Sequence, residues 1–160
     1  TMIKISKNQY TIINKAFTLI EMLVVISLIG ILAAIALVSF GGAQKQARDA
    51  TRKSDLKQYQ TSIEGYASKN NGIYPISITT TSLSDSTGSI CTTLDIGSTC
   101  PTDPKDESPY QYKYISDSDG TNYVIWGGLE KSSTTTYWVL CSNGRTAESA
   151  SVPSSSTCPI

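Results

Sequence analysis

Glu21 is the residue most out of place in this chain. It stands near the start of an apolar run, Phe17-Thr18-Leu19-Ile20-Glu21-Met22-Leu23-Val24-Val25-Ile26-Ser27-Leu28-Ile29-Gly30, which continues to Phe40. An ionised carboxylate deep in hydrocarbon costs about 2.5–3.5 kcal/mol, so the chemistry it suits is pairing with a cation. Two settings offer this: headgroups or water at an interface, or a positive partner inside an assembly. The second reactive set is sulfur. Cys91, Cys100, Cys141 and Cys158 form no C-x-x-C pair, which disfavours a zinc ribbon or a thioredoxin-like motif. An even number in one Ser/Thr-rich half reads as two disulfides in an oxidising compartment, against the alternative of four reduced, partly buried thiols. Three pairings are possible. Cys91–Cys100 with Cys141–Cys158 is favoured because each closes a loop rich in turn residues, the second worth about 3 kcal/mol on the chain-entropy model.

Two further sets carry less. Asp117-Ser118-Asp119-Gly120 has the opening of a calcium loop, but no third acidic ligand and no spaced glutamate follow. A hairpin turn accounts for these four residues without metal, so no cofactor is expected and Asp117 and Asp119 are the only calcium candidates. Asp103, Asp106 and Glu107 beside Lys105 read as a solvated loop. Histidine is absent from all 160 residues, which removes imidazole bases, Ser-His-Asp and Cys-His nucleophiles and His-ligated metals. With 13 basic and 13 acidic residues the formal charge is zero, and composition points to no dedicated nucleic-acid site. No constellation supports an enzyme.

The elements that must position these residues follow from periodicity. Residues 1–16 are polar, with Lys4, Lys7 and Lys15 and no acid. As a helix, 17–40 spans about 36 Å, enough to cross a bilayer core. It is apolar on all sides, as lipid requires. Residues 41–70 continue as a helix without proline, with Leu56, Tyr59, Ile63, Tyr66 and Ala67 in one stripe and Ala43, Ala47 and Ala50 on a slimmer face. Asn70-Asn71-Gly72 and Pro75 stop it. From 71 to 160 the chain reads as a small β head. A loop with little regular structure runs over 72–108, followed by strands at 110–115, 121–126 and 136–141. Gly127-Gly128 bends or ends the second strand, and the polar tail 142–160 is pinned by Cys158 to Cys141. The expected fold class is α+β, a long helix packed on an antiparallel sheet.

Lys15-Ala16-Phe17-Thr18-Leu19-Ile20-Glu21, followed by an unbroken apolar helix, resembles the processing site of type IV prepilins and pseudopilins. The resemblance is specific over roughly the first fifty residues and architectural beyond them. It implies that a membrane aspartic peptidase removes residues 1–16 by cutting between Ala16 and Phe17 and methylates the Phe17 amine. Glu21 then pairs with the N-terminal amine of a neighbouring subunit during assembly. The family usually has glycine where this chain has Ala16, the smallest substitute. In that family the helix bends or melts during assembly, which makes Gly41-Gly42 the candidate hinge, with a small-residue packing contact as the alternative. The implied partners are further copies of the chain, the prepilin peptidase and the pilus or secretion machinery of the membrane. The bounded tail resembles the disulfide-bounded loop of type IV pilins, whereas major pseudopilins of type II secretion carry calcium in their heads. Two other readings compete over the same stretch. One is a secretory signal cut after Ala34-Ile35-Ala36, and the other is a single-pass anchor with no assembly role. Positive charge does not choose an orientation, because Lys45, Arg48, Arg52 and Lys53 follow the apolar run. The cysteines place the head outside.

Overall fold

A computed structural model describes residues 17–84, 89–94, 96, 100–131 and 134–160. The basic leader, with Ala16, lies outside the described residues. The chain divides between Phe40 and Gly41 into two compact units. Helix α1, Leu19–Lys69, supplies most of the described part of the first and enters the second. Its N-terminal part is long and apolar enough to cross a membrane. Its large apolar side chains, from Leu19 to Ile35, are exposed. The helix stops where the sequence turns polar: Asn71 and Gly72 both take positive φ, and the Gly72 amide reaches back to the Ala67 carbonyl at 2.8 Å.

The second unit is a five-stranded antiparallel meander in the order β1-β2-β3-β4-β5. The strands are β1 Thr81–Ser82, β2 Lys113–Ser116, β3 Tyr123–Leu129, β4 Thr136–Cys141 and β5 Thr146–Ser149. A short helix, α2, covers Ile90–Leu94. One face of the sheet buries Tyr114, Tyr123, Ile125 and Leu140 against Leu56, Tyr59 and Ile63 of α1, with Leu83, Ile90 and Cys91 closing the side. Alternation puts Ile115, Val124, Trp126, Val139 and Cys141 on the other face, under Tyr137, Cys158 and Ile160. Strand β3 is therefore buried along its whole length. Cys91 is joined to Cys100 and Cys141 to Cys158.

Four local expectations are corrected. Segment 72–108 is not without regular structure, since it contains β1 and α2. Tyr110 and Tyr112 precede β2, which starts at Lys113. Gly127 and Gly128 do not end β3, which runs through them to Leu129. They are glycines because a Cβ on Gly127 would stand 2.9 Å from the Tyr112 ring, and one on Gly128 would stand 2.7 Å from the Pro109 carbonyl oxygen. The tail also adds β5 to β4, pairing Ala147 with Val139.

Candidate functional site

In the first unit the feature with chemical potential is the start of α1. Thr18 precedes the first helical residue, and Glu21 is the third residue of the helix. The Glu21 carboxylate accepts hydrogen bonds from the Thr18 amide (2.8 Å) and the Thr18 hydroxyl (2.7 Å), while the Glu21 amide donates to Thr18 Oγ1 at 3.3 Å. This is a reciprocal capping box, and it satisfies two amides that the helix itself leaves open. The Thr18-x-x-Glu21 spacing ahead of an apolar run carries that signal in the sequence. Glu21 is thus engaged locally while remaining exposed, one turn from Phe17, which is itself 75 % exposed. Among the described residues no cation approaches it in the isolated chain.

In the second unit the densest electrostatic site is one that reading 103–107 as a solvated loop missed. Arg52 is fully buried. It meets Asp103 at 2.5 Å, Asp49 at 2.7 Å and Glu130 at 2.8 Å, and its guanidinium lies 4.5 Å from the Tyr110 ring centroid. Arg48 makes a two-pronged contact with Glu130 (2.6 and 2.7 Å), and Lys105 adds a third cation to Glu130 at 3.3 Å. Asp49 also accepts the backbone amides of Glu130 and Lys131. Arg48, Arg52 and Lys105 therefore balance Asp49, Asp103 and Glu130. Burial works against the Arg52 charge, but its bonds to Asp103, Glu130 and Asp49 overcome this and hold it cationic. The Arg48 contact brings the Glu130 carboxyl down to about 2, against the burial that would raise it, with Arg52 and Lys105 adding to the effect.

This cluster lies on the side of α1 opposite the alanine face that the sequence suggested. Ala43, Ala47 and Ala50 are exposed, and the buried stripe runs Asp49, Arg52, Leu56, Tyr59, Ile63, Ala67. Its spacing of three and four is the helical period, but its first two members are charged. Lys53 is also committed within the head, 3.1 Å from Glu148 and 4.2 Å from the Trp138 ring.

The remaining candidates behave locally. Gly41 and Gly42 lie inside α1, and a Cβ on either would meet open space. Asp117 is spent on its own turn. Its carboxylate accepts the Thr121 amide (2.7 Å), the Thr121 hydroxyl (2.6 Å) and the Asn122 side-chain amide (2.9 Å), and the Thr121 hydroxyl above all holds it far below the usual carboxylate range. Asp119 accepts the Ser118 hydroxyl at 3.2 Å. Among the described residues no group of three or more acidic or cysteine side chains is arranged to hold a metal ion.

Residues 13–37 match the family model of the prokaryotic N-terminal methylation motif. The chain is 38% identical over 58 residues to the type IV major pilin protein PilA of Myxococcus xanthus, a match covering 36% of this chain and 26% of that protein. The chain thus spans about a quarter of the length of the curated relative it matches. No solved structure matches it. An N-terminal methylation motif on an exposed apolar helix, joined to a disulfide-bearing antiparallel sheet, gives this chain a type IV pilin-like architecture.

Proposed function

We propose that the chain is the structural subunit of a type IV pilus-like filament, held in the cytoplasmic membrane by its apolar helix until it is assembled. The observation that carries this is the exposed carboxylate of Glu21 in an otherwise apolar helix, one turn from Phe17 and inside the methylation motif. A prepilin peptidase would cut between Ala16 and Phe17 and methylate the new amine. Subunits would then leave lipid by packing helix on helix, with Glu21 accepting the amine of an incoming Phe17. The role is structural rather than enzymatic, serving adhesion, motility or DNA uptake outside the cell, with the assembly machinery of the membrane as partner.

The capping box makes the Glu21 test sharper. Glutamine at this position preserves the cap but removes the charge. If Glu21 serves an amine, Glu21→Gln and Glu21→Ala both stay in the membrane and neither forms filaments on electron microscopy. If it serves only the cap, Glu21→Gln assembles normally and the pairing reading falls. Mass spectrometry on protein from its native envelope tests the earlier step. A chain starting at Phe17 with one added methyl is expected, and a start after Ala36 would mean an ordinary secreted protein.

A second reading, a major pseudopilin of a type II secretion system, would gain from calcium at Asp117 and Asp119. The bonds from Thr121 and Asn122 to Asp117 support a turn that works without metal. A melting temperature unchanged by millimolar calcium is expected, and a marked rise would favour the pseudopilin.

A further inference from the structure

A short path joins Cys91 to Arg52. Cys91 sits in α2, almost fully buried, with its amide on the Leu83 carbonyl at 3.2 Å. Its disulfide fixes Cys100, and the chain passes directly into Pro101, whose carbonyl accepts the Tyr59 hydroxyl at 2.8 Å. Two residues on is Asp103, whose carboxylate meets the buried guanidinium of Arg52. Asp103 also gathers its own turn, accepting the amides of Lys105 (2.8 Å) and Asp106 (3.0 Å).

The three carboxylates around Arg52 are held in different ways. Asp49 is on the same helix, and Glu130 directly follows β3, with its amide on Asp49. Asp103 lies between α2 and β2, where the described residues form no helix or strand. Its position depends on the Tyr59 bond and on the tether three residues upstream. Removing one partner from a buried ion cluster leaves charge uncompensated, so whatever seats Asp103 controls whether Arg52 stays dry.

We propose that the Cys91–Cys100 disulfide is a redox latch, whose formation seats Asp103 on Arg52 and whose loss lets the 100–106 segment lift and water reach the guanidinium. Closure removes two electrons and two protons from the two thiols and passes them to the disulfide of a thiol–disulfide oxidant, which leaves as a dithiol. The charge cluster around Arg52 is then completed only on the oxidising side of the membrane. This stands apart from the filament reading, and its test involves no filament.

The experiment compares the full chain in detergent micelles with its Cys91→Ser variant. Arginines are modified with phenylglyoxal and the sites located by peptide mass spectrometry. Arg52 should react at least about tenfold faster in the variant, as local opening requires. Exposed Arg145 should react equally in both. Asp103→Asn with the disulfide intact should also speed Arg52 labelling, and adding Cys91→Ser to it should give little more, because the two changes act through one contact. Equal protection of Arg52 in the variant overturns the latch. So does loss of the near-ultraviolet dichroism of Trp126 and Trp138 in the variant, because the disulfide would then hold the whole head and not one segment.

Discussion

At the scale of single residues the head rests on an inversion of ordinary composition, because its deepest large side chains include an arginine. Arg52→Ala should destabilise the head by about 3–5 kcal/mol, since it strands Asp49, Asp103 and Glu130 in a dry site. Chemical denaturation followed by Trp126 and Trp138 fluorescence measures this, and a cost of a few tenths of that size would mean water enters freely. Acid acts on the same cluster. Glu130 titrates at about 2 in the folded head against an ordinary value of 4.5. Its contribution is therefore complete above pH 4.5 and is lost as the pH falls towards 2. Asp55 works in the opposite direction, because burial raises its carboxyl despite the Tyr112 bond. Glu130→Gln should start less stable and lose less between pH 5 and pH 2. A denaturation midpoint that falls in parallel with the parent chain over that window would place the acid sensitivity elsewhere.

At the scale of elements glycine has opposite meanings in the two settings. In β3 it makes room: Gly127→Ala puts a methyl against the Tyr112 ring and should cost about 1–3 kcal/mol. In α1 it makes none, so Gly41→Ala and Gly42→Ala should each stabilise the helix by about 1 kcal/mol. If the pair is a hinge, the same substitutions lower filament yield while raising helicity by circular dichroism. Unchanged filaments would reduce Gly41 and Gly42 to helix filler. The elements themselves were legible where one physical signal dominated. The helix and the strand at 136–141 follow from apolar periodicity and β-branched or aromatic content, and the helix stop follows from Asn70-Asn71-Gly72 with Pro75 soon after. What was not legible depended on partners far along the chain. Gly127 and Gly128 look like strand breakers until Tyr112 and Pro109 are placed against them. β1 and β5 are too short to show alternation, and they exist because β2 and β4 offer open edges.

At the scale of the whole molecule the two units follow different rules. In the first the helix was readable, since an apolar run with one carboxylate is a local pattern, although the Thr18–Glu21 cap at its start was overlooked. The second was readable as a class but not as a site. Asp49, Arg52, Asp103 and Glu130 are scattered over more than eighty positions, and each alone looks like an ordinary surface charge. Only the fold brings them together. The sheet also presents both faces to cover, one to α1 and one to the C-terminal tail held by Cys141–Cys158.

That second cover suits the chain to carrying cargo. Between β5 and Cys158 the backbone passes through Ser154 and Ser155, both exposed, while the covalent bond to Cys141 fixes the end of the tail. A short epitope inserted between these serines would be looped out from an anchored frame and not hung from a loose terminus. Antibody to the epitope should bind the intact protein with the melting temperature of the head unchanged, so one insertion would turn each copy of the chain into a display platform.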